Sequence, residues 1–327
     1  MSTSVAARAA ILDEPDDHVT LALRPVSFDD FTGQEITRER LEIAIQAARK
    51  RGETLDHILL SGPPGLGKTT LANIVAKAMG GPLITTSGPA MAKTADIGHL
   101  FSQLEPNSVV FVDEIHRLKP AAEEFLYPAL EDGCLDLVID KRPLRMPLAP
   151  FTLIGATTRK GNLSAPLRDR LGLDVVLELY PQKDMVAIIE RSARMLNLRI
   201  SEAAMKLVAN RSRGTPRVAN RFLRRLRDYA EVRAPGKWIT EKVATAALRL
   251  EGVDEKGLDE LDRRYLRTLV NVFMGGPAGL ATIGAALDVD AATLEDTVEP
   301  YLMREGYIFR GVGGRRALPK ATNLNLA

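Results

Sequence analysis

The chain has 327 residues, of which 45% are hydrophobic and 26% charged, with a formal net charge of +2. That length supplies about two or three domains with apolar cores, while runs such as Val109 to Val112 fall far short of the ~18 residues that span a bilayer. The N-terminus lacks the apolar core of a signal peptide, and Cys134, the single cysteine, excludes an internal disulfide.

Residues 1–22 turn acidic and read as a mobile tail, and the cytoplasm is the default compartment. The small net charge hides a division. Residues 1–180 carry 19 Lys and Arg against 24 Asp and Glu, residues 181–251 carry 16 against 7, and residues 254–327 carry 9 against 11. The basic middle block suits a solvated helical face or an anionic partner.

From residue 23 to 180, short β-rich apolar runs alternate with amphipathic stretches, the pattern of an α/β domain with a parallel sheet covered by helices. The clearest strands are His57 to Ser61, Leu83 to Thr86, Val109 to Val112 and Thr152 to Gly155. Leu71, Ala72, Ile74, Val75 and Ala78 recur at helical spacing until Gly80-Gly81-Pro82 stops the helix. After Tyr180-Pro181 only helical periodicity remains, so residues 181–253 are expected to form a small all-helical domain with N-caps at Ser201 and Thr240. Residues 254–327 read as helices over about 259–274, 280–287 and 293–305, then two short strands around a glycine-rich turn, as in a winged helix.

Gly62 to Thr70 (GPPGLGKTT) matches the phosphate-binding pattern G-x-x-x-x-G-K-[ST], with a strand entering and a helix leaving. Glycines Gly65 and Gly67 let backbone N–H groups approach phosphates at a helix N-terminus, whose dipole favours anions. Lys68 can reach the β and γ oxygens of ATP, Thr69 can ligate Mg²⁺, and Thr70 adds a phosphate contact. Asp113 ends the apolar strand Val109 to Val112, where a carboxylate can hold the metal through water. Glu114 follows it and can activate the attacking water, the step that turns a nucleotide binder into a hydrolase.

With Asp113-Glu114-Ile115-His116, the chain resembles the AAA+ ATPases and, more narrowly, the RuvB family of Holliday-junction branch-migration motors. The resemblance rests on Leu59 to Thr70, Asp113 to Leu118, FLYPALED at 125–132, TLIGATTR at 152–159, PLRDRL at 166–171, GTPRVAN at 214–220 and EPYL at 299–302. It runs from about Leu23 to Ala321. It implies a P-loop AAA+ domain, a helical lid and a C-terminal winged-helix head.

The same resemblance assigns individual roles. Thr158 matches sensor 1. Arg170 matches the arginine finger that completes a neighbouring subunit's site, with Arg168 the competitor on residues alone. Arg217 matches sensor 2. Leu23, Arg24 and Tyr180 match positions that enclose adenine and ribose, and Glu131, Asp132 and Gly133 lie near an adjacent subunit's nucleotide. Duplex DNA is expected at the basic wing, through Arg310, Arg315 and Arg316. Where relatives have R-T-P-R-G-R this chain has Gly313 in place of the middle arginine, leaving Arg310 and Arg315 as the leading contacts. Residues 135–150 match the hairpin that docks RuvA, with Val138, Ile139 and Leu144 as apolar anchors; a homohexameric ring and RuvC in the larger complex are further expected partners. The motifs alone also admit an AAA+ loader or switch on nucleic acid, or a protein-remodelling ATPase. His116 is close enough to the acidic pair to couple hydrolysis to neighbours.

Overall fold

A computed structural model of the chain describes residues 21–139 and 142–324. Within them are two compact units, one over Arg24–Tyr180 and one that joins 21–23 to 181–324. Most of the N-terminal tail therefore lies outside the described residues, as do the hairpin tip at 140–141 and the side chains of Val138 and Ile139.

The first unit holds a five-stranded parallel sheet. In chain order its strands are β1 (Ile58–Ser61), β2 (Leu83–Ser87), β3 (Ser108–Asp113), β6 (Phe151–Thr157) and β7 (Leu173–Val176), with spatial order β2-β3-β6-β1-β7. Its central strands are apolar along their length because helices cover both faces of a parallel sheet; all of β1 and all of β6 are buried. Pairing sets Ile58 beside both Ile154 and Leu173, and Val110 beside Leu153. β7 escapes the sequence reading: Asp174 interrupts its apolar run and it lies at an edge, half-exposed.

Helix α1 (Glu35–Arg51) precedes the sheet, and α2 (Lys68–Met79) leaves the phosphate loop, burying Leu71, Ala72, Ile74, Val75 and Met79. Gly80 ends α2 at φ 74°, its N–H turned back to the carbonyls of Ala76 and Lys77, a left-handed cap that suits glycine. Helices α3 (Thr94–Phe101) and α4 (Pro120–Glu131) pack a core containing Phe101, Val110, Val112, Leu126 and Leu153. An antiparallel hairpin of β4 (Cys134–Ile139) and β5 (Arg142–Pro147) leaves the domain after α4, with Leu137 opposite an exposed Leu144. Helix α5 (Ala165–Arg170) is capped by the Ser164 hydroxyl, which accepts from the Leu167 N–H.

The lid helices of the second unit are α6 (Gln182–Met195), α7 (Glu202–Arg211), α8 (Pro216–Arg233) and α9 (Glu241–Leu250). Ser201 and Thr240 cap α7 and α9 as their hydroxyl chemistry predicts. The all-helical expectation needs one correction: β8 (Arg199–Ile200) and β9 (Trp238–Ile239) form a short parallel pair.

The head follows with α10 (Glu260–Arg267), α11 (Leu280–Leu287), α12 (Ala291–Thr293), α13 (Glu299–Arg304) and the hairpin β10 (Ile308–Gly311) and β11 (Gly314–Ala317), before α14 (Pro319–Thr322). Tyr265, Leu269, Ile283, Leu302 and Tyr307 form its core. The expected helices over 259–274 and 293–305 are each broken by a five-residue π-helical turn, at Thr268–Val272 and Leu294–Val298. The second has a covalent cause, since Pro300 in the first turn of α13 has no N–H to continue the α-helical ladder. Among the described residues no helix is long and apolar enough to cross a membrane.

Candidate functional site

Three adjacent strands bring the first unit's chemistry to one edge. β1, β6 and β3 are parallel neighbours, so the loop after β1, the threonines at the end of β6 and the acidic pair at the end of β3 all lie at the carboxyl ends, where ligands of open α/β sheets bind. Gly62 sits at φ 141°, where an added Cβ would stand 2.4 Å from the Leu177 carbonyl oxygen, and Gly67 caps α2 at φ 105°. Larger residues would clash or strain at both points. Lys68 lies across its own loop, Nζ donating to the carbonyls of Gly62 at 2.8 Å and Pro63 at 2.9 Å. Leu66 offers its carbonyl to the Tyr180 hydroxyl at 3.2 Å, so buried Tyr180 braces the loop from below.

Asp113 is the last residue of β3, and its Oδ1 accepts from the Glu114 N–H at 2.9 Å. Glu114 adopts a left-handed conformation, φ 48° and ψ 43°, and its Oε2 accepts from Arg117 Nη1 at 2.8 Å. The Thr69 hydroxyl and Asp113 carboxylate are hard oxygen donors. A small set of such ligands suits Mg²⁺, which keeps several of its own waters. Thr158 lies just past the end of β6, half-buried. Its neighbour Thr157, absent from the sequence-based set, is fully enclosed; its Oγ1 lies 3.0 Å from His116 Nδ1 and accepts from the Arg159 N–H at 2.9 Å. His116 thus ties the segment after the acidic pair to the end of β6. Two consecutive threonines gave the sequence reading no means to decide which faced inward.

Arg170 and Glu131, both expected at a subunit boundary, come together. Arg170 Nη2 is 2.7 Å from Glu131 Oε1, Nη1 donates to the Pro166 carbonyl at 2.8 Å, and the guanidinium carbon lies 4.2 Å from the centre of the Tyr127 ring. Asp132 is paired with Arg145, and Gly133 turns at φ 63°. Arg168 is exposed on the same helix. In the second unit, Arg217 is exposed in the first turn of α8, and the Leu23 carbonyl accepts from Arg191 at 2.8 Å. Arg24 belongs to the first unit.

The three wing arginines expected to meet DNA differ in burial and partners. Cross-strand pairing puts Arg310 opposite Arg315, and Phe309 opposite Arg316. Arg315 turns inward to 7% exposure, with Nε 2.8 Å from Glu299 Oε1 and Nη2 3.0 Å from Oε2; Glu299 also accepts from the Tyr265 hydroxyl at 2.7 Å. Two of the Arg315 guanidinium nitrogens are thus taken up by Glu299 inside the head. Arg310 is exposed beside Glu295, and Arg316 is exposed on the other face of the wing.

Comparisons with known proteins agree along the chain. Residues 23–177 match the family model described as the Holliday junction DNA helicase RuvB P-loop domain, 180–254 the RuvB AAA lid domain, and 255–324 the RuvB C-terminal winged helix domain. Among solved structures, the chain is similar to the Thermotoga maritima RuvB Holliday junction branch migration motor, with 44% identity, TM-score 0.85 and coverage of 92% of this chain and 97% of that one. Two mutants of the same Thermotoga maritima protein match at 43% identity with TM-score 0.86 and at 44% with TM-score 0.85, each covering 91% of this chain and 97% and 96% of theirs. With these matches spanning a complete phosphate loop, lid and winged head, the chain belongs to the RuvB family of P-loop ATPases.

Proposed function

We propose that this chain is an ATP-driven DNA translocase that moves the branch point of Holliday junctions during recombination and repair, in the cytoplasm, as a hexameric ring acting with RuvA. The observation that carries this reading is the convergence of Gly62–Thr70, Asp113-Glu114 and Thr157-Thr158 on one sheet edge, in a chain whose RuvB match continues through the winged head.

The loop N–H groups, Lys68 and Thr70 hold the phosphates of ATP, and Tyr180 keeps the loop's shape. Thr69 and Asp113 would hold Mg²⁺, which supplies charge neutralisation at the β and γ oxygens. Glu114, once released from Arg117, accepts a proton from the water that attacks the γ-phosphate, and Thr158 orients that water. Arg170 leaves Glu131 to meet the nucleotide of the next subunit, where it stabilises charge developing in the transition state. Arg217 reads the nucleotide state from the lid. Leu23 and Arg24 complete the base and ribose pocket, and Glu131 to Gly133 border the neighbouring site.

Arg310 and Arg316 supply the phosphate contacts of the head, giving affinity without base reading, as a motor that travels along any sequence requires. The hairpin β4–β5, with Leu144 exposed on it, is the docking site for RuvA. The test is the partner that stimulates hydrolysis: duplex DNA should raise the ATPase rate in a salt-dependent manner. Stimulation by a protein client with none by DNA would support the protein-remodelling alternative instead.

A further inference from the structure

The lid and the head meet at a buried charge cluster that the nucleotide chemistry does not use. Arg213 lies in the turn between α7 and α8, in the left-handed region at φ 57°. Its side chain is only 12% exposed. Nε donates to the Gly257 carbonyl at 2.8 Å, and Nη2 reaches both that carbonyl and the carboxylate of Asp262, a residue with no exposure at all. Asp262 is fixed in turn by the reciprocal cap of α10, accepting from the Asp259 N–H at 2.9 Å while donating its own N–H to Asp259 Oδ1 at 3.0 Å.

The last helix before the wing, α13, closes the cluster. The Tyr301 ring of α13 stacks under the Arg213 guanidinium at 4.2 Å, its hydroxyl donates to the Lys256 carbonyl at 2.7 Å, and Arg304 Nη1 donates to the Arg213 carbonyl at 3.3 Å. Gly257, at φ 76°, lets the linker lie against the Arg211 backbone. One lid turn is thus gripped by the linker, the first helix of the head and α13. A joint meant to flex would be sparsely bonded; this one is densely bonded around an enclosed Arg213–Asp262 pair and uses the planar fork of an arginine, which a lysine cannot reproduce.

Gly214-Thr215-Pro216-Arg217 follow Arg213 directly in the chain. We propose that Arg213 is a positioning residue that locks the lid turn to the winged head, so that a displacement of the start of α8, where Arg217 sits, reaches the wing without slack. The inference rests on the motor reading for its purpose but not for its test.

In full-length protein with Cys134→Ser, spin labels at Val232→Cys in the lid and Met274→Cys in the head, both strongly exposed positions, report the lid-to-head distance. One narrow distribution, unchanged between ADP and a non-hydrolysable ATP analogue, is expected. Arg213→Ala should broaden it about two-fold or more, and Arg213→Lys should restore it only in part. Asp262→Asn, which keeps an acceptor at the cap, should also broaden it and guards against a loss of fold in the alanine variant. In activity, Arg213→Ala should hold basal ATPase within about two-fold while junction migration falls about tenfold or more. A distribution as narrow in Arg213→Ala and Asp262→Asn as in the parent overturns the lock, whatever the activity. A narrow parent distribution that Arg213→Ala broadens, with no junction migration by the parent protein, would instead keep the lock and overturn the motor reading.

Discussion

Arg315 and Glu299 form a two-pronged ion pair inside the winged head, and Glu299 is wholly enclosed. Breaking a buried pair from one side strands a charge, which costs far more than an exposed pair is worth. Arg315→Ala should therefore destabilise the head by about 3–5 kcal/mol, read as a shift in urea midpoint. Arg310→Ala and Arg316→Ala should leave that midpoint in place and each lower the slope of log affinity against log salt by about one on duplex DNA. A stable Arg315→Ala protein with a reduced salt slope would reverse the assignment.

The pairing of Arg170 with Glu131 leaves the glutamate side chain half-exposed, and the proposed intersubunit role of Arg170 can be tested by mixing subunits. Lys68→Ala and Arg170→Ala should each abolish turnover alone, the second by on the order of 10³-fold. Mixed together, they should regain part of the ATPase rate, because an intact loop on one subunit can meet an intact Arg170 on the next. Mixtures that stay inactive at every ratio would remove the intersubunit role.

His57 gives a pH signature. Its Nδ1 accepts from the Leu153 N–H at 2.9 Å and its Nε2 faces the Leu130 carbonyl at 3.2 Å, an arrangement that suits the neutral ring. Burial lowers its pKa below the ordinary 6.5, against the opposing pull of the Leu130 carbonyl. The unfolded chain then takes up a proton that the folded one refuses, so this contribution is complete above pH 6.5 and is lost as pH falls toward the depressed folded value. Urea midpoints between pH 7.5 and 5 should fall more steeply for the parent than for His57→Gln. Equal slopes would show that His57 titrates alike in both states.

What the chain discloses before folding depends on whether the signal is contiguous. Gly62 to Thr70 is legible because the phosphate loop is a single run whose glycines and helix start are local requirements, and the apolar run ending at Asp113 marks a carboxylate at a strand end in the same way. The wing is different. Arg315 and Arg316 are adjacent, and only the strand register, with Phe309 opposite Arg316 and Arg310 opposite Arg315, decides which turns inward. The acid that receives Arg315 is sixteen residues upstream, in EPYL, and composition could not connect them. Thr157 and Thr158 pose the same problem at the end of β6. Arg213 is one of 16 basic residues between 181 and 251; its partners Gly257, Asp262 and Tyr301 belong to the next domain, so nothing local distinguishes it.

Branch migration on a synthetic four-way junction, with ATP, Mg²⁺ and RuvA, tests the central claim most directly. The parent chain should convert the junction to duplex products only when ATP is supplied, while Glu114→Gln binds ATP with near-parent affinity and loses turnover by about 10²-fold or more, leaving the junction intact. ATP-independent conversion, or normal migration by Glu114→Gln, would contradict the account.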